Sequence, residues 1–181
     1  MRVISGEFRG KRLKLTKDTT RPTTDKVKES IFNIIGPYFD GGVCLDLFAG
    51  SGALGIEAVS RGMNQAVLVE RNFKAMQVIK GNVELTKASE RFKLLKKDVN
   101  LALADLANLA LRFDLIFLDP PYKEQEIEVQ LDKLQVFDLL TNDAVIVAET
   151  AAEVVLPSNI KKLTQHRRQV YGVTTIHFFG F

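Results

Sequence analysis

The chain has 181 residues, of which 46% are hydrophobic and 26% charged, with a formal net charge of +3. That length accommodates one domain with a sizeable core, and the composition excludes a disordered or fibrous chain. No apolar run reaches the length of a membrane span and the N-terminus is polar and basic without a signal-peptide core, so the expected location is the cytoplasm.

Cys44 is the only cysteine, which excludes an internal disulfide. Its place in an apolar run reads as a small core residue. Two histidines and one cysteine offer no metal-ligand spacing, and no metal is expected. The charge is uneven. Residues 1–28 hold nine Lys/Arg against three Asp/Glu, residues 158–181 hold four Lys/Arg and no acid, and the stretch between them is acidic. Two basic ends on an acidic middle point to contact with a polyanion, a nucleic acid.

In chain order, residues 1–15 read as two short strand-like pieces around a glycine-bearing bend, a small β-hairpin. Arg2, Arg9, Lys11, Arg12 and Lys14 crowd it, with Phe8 among them. Basic residues interleaved with an aromatic hold phosphate and stack a base; equally, Phe8 anchors the hairpin to the main domain. In residues 21–35, Thr24 suits a helix N-cap and Asp25 the first turn. Val27, Ile31, Ile34 and Ile35 share one face, which predicts an amphipathic helix over a sheet, ended by Gly36-Pro37.

Residues 43–48 form an apolar run broken only by Asp46, which predicts a buried strand of a parallel sheet. Gly50 and Gly52 permit a tight turn, and residues 53–61 continue as a helix, so free backbone N–H groups face a ligand. Residues 50–55 match the dinucleotide pattern G-x-G-x-x-G, a weak signal alone. Asp46 argues against it, because a carboxylate at the strand end repels a pyrophosphate and suits a cationic or hydroxyl-bearing ligand.

Strand and helix patterns then alternate. Strands are predicted over 65–70, 92–97, 113–118 and 143–149, and helices over 73–86, 101–111 and 124–140. Residues 160–168 and 174–179 look like a closing antiparallel pair. The repeated βα order predicts a doubly wound α/β sheet. The only visible subdivision is a basic extension, residues 1–39, before a catalytic domain, residues 40–181.

Ligands of such sheets bind outside the carboxyl ends of the strands, and four predicted strand ends carry acids: Asp46, Glu70, Asp98 and Asp119. Glu70 can accept from two ribose hydroxyls, which a dinucleotide and a single nucleoside present alike. Asp98 can accept from an adenine amine or cap the helix that follows. Asp119-Pro120-Pro121-Tyr122 follows an almost wholly apolar strand. Two prolines stiffen that turn and remove two donors. A carboxylate, carbonyls and an aromatic ring together suit the exocyclic amine of a planar base.

The run from Asp46 to Gly52 resembles motif I of class I S-adenosylmethionine-dependent methyltransferases. With Asp119-Pro-Pro-Tyr122 it resembles the members that methylate amino groups. The segments from Arg2 to Lys11 and from Arg21 to Glu29 narrow the resemblance to the RsmD-type bacterial small-subunit (16S) ribosomal RNA guanine-N2 methyltransferases, over nearly the whole chain. The resemblance implies a Rossmann-like class I fold, a seven-stranded mostly parallel sheet with a reversed final strand. It implies S-adenosylmethionine held by Asp46, Phe48, Ala49, Gly50, Ser51, Gly52, Glu70, Arg71, Asp98, Val99 and Thr23. Asp119, Pro120 and Tyr122 would serve the acceptor amine, and Arg2, Arg9, Lys11, Arg12, Lys14 and Arg21 the ribosomal RNA, naked or in an assembled subunit. A monomer is expected.

The glycine and Asp-Pro-Pro-Tyr motifs are shared with N6-adenine methyltransferases on RNA or DNA and with protein glutamine methyltransferases. The shortness of the chain disfavours a DNA enzyme with its own sequence-reading domain, and the basic hairpin disfavours a protein substrate. A non-catalytic RNA-binding protein that kept the fold is the reading from another class.

Overall fold

A computed structural model describes residues 1–17 and 23–181. The chain divides into two compact units, Met1–Val99 and Asn100–Phe181.

In the first unit the N-terminal segment closes on itself. Val3 N–H donates to the Lys11 carbonyl (2.9 Å), Gly10 N–H to the Val3 carbonyl (2.9 Å) and Leu13 N–H to the Met1 carbonyl (2.9 Å). Arg2 and Arg12 form a single antiparallel bridge, so the predicted hairpin is present but too short to build two strands. Phe8 is 2% exposed and packs against Phe92, with ring centroids 6.5 Å apart. It anchors the segment, and its burial rules out stacking on a base.

Helix α1 (Asp25–Ile35) is capped by Thr24, whose hydroxyl accepts from Val27 N–H at 3.2 Å. Its inward face differs from the predicted one. Ile31 and Phe32 are buried together with Lys28, while Val27, Ile34 and Ile35 are only half-buried. The helix is turned because Lys28 has a buried partner, the Glu57 carboxylate at 3.2 Å.

Strand β1 (Val43–Asp46), helix α2 (Ala53–Ser60), strand β2 (Gln65–Val69), helix α3 (Phe73–Leu85) and strand β3 (Phe92–Leu95) follow. The three strands are parallel, in the order β3-β2-β1, with Cys44 opposite Ala66 and Val67 opposite Lys93. Cys44 is buried, as its apolar setting predicts. Helix α2 lies close on β2 because Gly55 has no side chain: a Cβ there would stand 2.3 Å from Leu68 Cδ2.

Helix α4 (Val99–Ala107) leads into the second unit. It holds strand β4 (Phe113–Leu118), helix α5 (Ile127–Val136), strand β5 (Leu140–Ala151), strand β6 (Asn159–Ile160), strand β7 (Leu163–Tyr171) and strand β8 (Thr174–Gly180). The helix predicted over 124–140 is the shorter α5, and Leu140 already belongs to β5. The strands of this unit run β4-β5-β8-β7-β6. β5 is parallel to β4, and β8 is antiparallel to both β5 and β7, which is the reversed final strand. The first unit has three described strands and the second five, against the seven expected in all, because the two-residue β6 adds to the edge of β7.

His177 ties this closing region together. Its Nδ1 is 2.7 Å from Gln165 Oε1 and its Nε2 2.9 Å from the Thr150 hydroxyl. Burial, with Arg168 adding to it, lowers its pKa to about 4, so the ring is neutral and bridges β5, β7 and β8. Among the described residues no helix is long and apolar enough to cross a membrane.

Candidate cofactor and acceptor sites

Within the first unit, the carboxyl end of β1 and the glycine turn after it form one hydrogen-bonded cluster with the end of β2. Asp46 is 1% exposed. Burial pushes its pKa up to about 7; the Phe48 N–H at 3.3 Å opposes that rise, and the Glu70 carboxylate adds to it. A carboxyl group in such a place is half-ionised near neutral pH and gains from a cation set beside it.

Glu70 stands immediately after β2 and spans two loops. Gly50 N–H donates to one of its oxygens at 3.0 Å and Asn72 N–H to the other at 2.9 Å. Two further bonds hold the turn: Ala49 N–H donates to the Val69 carbonyl (2.9 Å) and Gly52 N–H to the Ala49 carbonyl (2.7 Å). Gly50 and Gly52 have φ of +56° and +82°, the left-handed region that glycine tolerates. A Cβ on Gly50 would meet no atom within 4 Å, so the turn offers open space next to its backbone.

Ser51 is fixed from outside the motif. Asn82, fully buried in α3, donates to the Ser51 carbonyl at 2.8 Å and to the Lys14 carbonyl at 2.9 Å. The same side chain accepts from Lys14 N–H at 2.8 Å. Asn82 does not figure among the sequence candidates. Its signal was a lone amide among the inward positions Ala75, Ile79 and Val83 of an otherwise apolar helix face.

The structure thus brings Asp46, Phe48, Ala49, Gly50, Ser51, Gly52 and Glu70 together. Arg71 and Asp98 are exposed, Val99 is buried and Thr23 half-buried. Asp98 immediately precedes α4, the capping position that was its alternative reading. The set fits S-adenosylmethionine: a buried carboxyl for an ammonium, a two-oxygen acceptor for paired hydroxyls, and open backbone between them. Glu70 keeps acceptor capacity for such hydroxyls beyond its two N–H donors, since an ionised carboxylate offers about four lone-pair sites. Two acids at this turn oppose a pyrophosphate.

In the second unit, Asp119 follows β4 and is half-buried, Pro120 is buried, and Pro121 and Tyr122 are exposed. The turn is sharper than a plain connection, because residues Tyr122–Glu124 form a 3₁₀ turn. Glu124 N–H donates to the Pro121 carbonyl at 2.9 Å, inside the turn. Tyr122 is 40% exposed, and its hydroxyl lies 2.7 Å from the Thr174 hydroxyl at the start of β8. Thr174, also outside the sequence candidates, therefore sets the attitude of the Tyr122 ring.

Of the basic residues, Arg2, Arg9, Arg12 and Lys14 are exposed and Lys11 is half-buried. Arg21 lies outside the described residues. The segment that carries them is held by a buried charge cluster. Glu57 accepts from Ile4 N–H (3.0 Å), Ser5 N–H (3.2 Å), Lys28 Nζ (3.2 Å) and Arg61 Nε (2.9 Å). Ser60 adds a hydroxyl that donates to the Ser5 carbonyl (2.6 Å) and accepts from Phe8 N–H (2.9 Å). Among the described residues no group of three or more His, Cys, Asp or Glu could hold a metal ion.

The family model described as "Conserved hypothetical protein 95" matches residues 1–180. The chain is 48% identical over 180 residues to a Bacillus subtilis protein named "Putative rRNA methyltransferase YlbH", covering 99% of this chain and 98% of that one. It is 34% identical over 174 residues to "Ribosomal RNA small subunit methyltransferase D" of Escherichia coli, covering 95% and 85% of the two chains. The solved structure titled "Putative methyltransferase yhhF from Escherichia coli" superposes with a TM-score of 0.84 at 33% identity, covering 99% of this chain and 96% of that one. With the reversed β8, the strand-end acids and the hydrogen-bonded glycine turn, these matches establish a class I methyltransferase fold, and the chain belongs to the conserved hypothetical protein 95 family, the RsmD-type proteins.

Proposed function

We propose that this chain transfers a methyl group from S-adenosylmethionine to the exocyclic N2 amine of a guanine in small-subunit ribosomal RNA. The observation that carries the reading is the hydrogen-bonded cluster of Asp46, Gly50 and Glu70, whose chemistry fits this cofactor. The names of the relatives support ribosomal RNA as the substrate, and the Asp119–Tyr122 turn supports an amine as the acceptor.

S-adenosylmethionine, when bound, supplies an electrophilic methyl carbon. Asp46 and residues 48–52 would hold its methionine part, with Asp46 ionised beside the ammonium. Glu70 would take the ribose hydroxyls, Asp98 and the Val99 backbone the adenine, and Arg71 and Thr23 the margin of the site. The N2 lone pair of guanine is delocalised into the ring and must be oriented. Asp119 and the Pro120 carbonyl accept the two hydrogens of the amine, aim its lone pair and stabilise the positive charge that develops. Tyr122, braced by Thr174, stacks on the base once it has left its helix. Asp119 need not be a strong base, because the amine proton becomes acidic only as transfer proceeds.

Residues 1–39 act as the RNA-contacting extension, with Arg2, Arg9, Lys11, Arg12, Lys14 and Arg21 against phosphates. Such contacts position an RNA without reading its sequence.

The test is transfer of labelled methyl to small ribosomal subunits that lack their native methylations, followed by nucleoside analysis. Label in N2-methylguanosine is the expected outcome. Label in N6-methyladenosine would move the acceptor to adenine, the reading that the shared Asp-Pro-Pro-Tyr turn also supports. Cofactor binding with no label in RNA, DNA or protein would refute a catalytic role.

A further inference from the structure

Beside the buried Glu57 cluster, the first unit holds a cavity of about 510 Å³, within the range of small-molecule sites. Arg2 and Arg9 line it from the N-terminal segment, Asn33 and Glu29 from α1, and Tyr38 and Arg61 complete it. Tyr38 is an aromatic ring left 61% exposed. Two contacts fix it. Its hydroxyl is 2.6 Å from the Ser5 hydroxyl, and the Arg61 guanidinium carbon lies 5.9 Å from its ring centroid and 4.9 Å from that of Phe32. Arg61 is held in turn by Glu57 through Nε (2.9 Å) and by the Pro37 carbonyl through Nη1 (3.1 Å). The ring is therefore set in place before any ligand arrives, so little freedom is lost on binding.

The cavity is also electropositive. Arg2, Arg9 and Arg61 outnumber Glu29 at its wall, and Lys28 and Arg61 share the carboxylate of Glu57. An exposed ring on a fixed support, cations within reach and a few polar groups are what an unpaired nucleotide requires: a face to stack on, charge for the phosphate, and hydrogen-bonding partners for the base edge. Ser5, Asn33 and Glu29 supply the last, and Glu29 favours a base that presents an amine.

This cavity is separate from the Gly50–Gly52 turn. Arg61 caps the carboxyl end of α2, whereas the Gly50–Gly52 turn stands at its amino end. An eight-residue helix spans about 12 Å. A nucleotide here lies at the opposite end of α2 from the Gly50–Gly52 turn. We infer that the cavity walled by Arg2, Arg9 and Tyr38 is an RNA subsite apart from the cofactor turn, which stacks an unpaired nucleotide on Tyr38 and anchors the substrate. The inference rests on the reading of RNA as substrate.

The experiment measures binding of a fluorescein-labelled, mixed-sequence single-stranded hexaribonucleotide to the full chain by anisotropy, for wild type, Tyr38→Ala and Tyr38→Phe. S-adenosylmethionine affinity, measured on the same preparations, reports whether the fold is intact. Tyr38→Ala should weaken oligonucleotide binding about tenfold or more. Tyr38→Phe, which keeps the ring and loses only the Ser5 contact, should stay near wild type. Equal binding by Tyr38→Ala and wild type would overturn the subsite, as would a wild-type chain that does not bind the oligonucleotide. The two readings fail separately. Methylation of subunits with no Tyr38 effect sinks the subsite alone, whereas Tyr38-dependent binding with no methylation sinks the catalytic reading and leaves the subsite standing.

Discussion

Asp46→Asn is expected to stabilise the protein and to weaken its hold on S-adenosylmethionine. In the unfolded chain this carboxyl titrates at its ordinary 3.8; in the fold burial moves it to about 7. The folded state therefore binds the proton more tightly, and between these values the unfolded chain has already released it. Stability must fall as pH rises from about 4 through about 7, with the full loss present above that. Integrating the linkage between pH 5 and pH 8 gives a loss of about 2.5 kcal/mol from this one group. Asparagine does not titrate there, and its Oδ1 still accepts from the Phe48 N–H. Urea denaturation of both proteins at the two pH values should show the stability of Asp46→Asn rising relative to wild type by about that amount at pH 8, with unchanged m-values. Calorimetry should show affinity for S-adenosylmethionine reduced by about ten- to a hundredfold, the worth of a charge-assisted hydrogen bond. A stability difference that is the same at pH 5 and pH 8 would refute the placement of Asp46 as a desolvated carboxyl.

Glu57→Gln removes the carboxylate that Lys28 and Arg61 share and should cost about 3–5 kcal/mol, read as a lower urea midpoint; a loss below about 1 kcal/mol would mean that the buried cations relax to solvent. Thr174→Val should raise KM for RNA about fivefold, the worth of one hydrogen bond, and Thr174→Ser should restore it with cofactor affinity unmoved throughout. If Thr174→Val matches wild type, the hydroxyl does not position Tyr122. Asp119→Ala should lower turnover at least about a hundredfold while cofactor binding persists, and retention of most activity would remove Asp119 from the acceptor site. RNA affinity should fall linearly with the logarithm of salt concentration; a flat profile would show that the basic ends do not meet phosphates.

The alternation of strands and helices, the glycine turn and the acids after β1 and β2 were legible in the sequence because each is a local pattern. An apolar run of four to six residues ending in Asp-x-x-x-Gly is set by backbone geometry within a few residues of itself, and β4 begins and ends where its hydrophobic run does. Boundaries moved where a local pattern had no stop. The helix predicted to 140 ends at Val136 because the chain reverses at Asp138, which takes a φ of +53°, and Leu140 then joins β5. For Phe8 the sequence left stacking and anchoring open; its neighbour Phe92 lies far along the chain, and that contact decides that it anchors.

Composition, the βα order, the strand-end acids and the basic ends were thus determined by the sequence alone, since each depends on residue type and short spacing. Tertiary structure decided which charges are buried. Lys28 reads as a solvated residue on a helix surface until Glu57 is brought to 3.2 Å from it. Glu57 in turn reads as an exception in an apolar helix until the N–H groups of Ile4 and Ser5 close on it. The same long-range closure orders Asn82 against Ser51, Thr174 against Tyr122, and Arg61 against Tyr38. Polar partners distant in sequence leave no periodicity, and only folding supplies the neighbours that make burying Lys28, Glu57 and Asn82 favourable.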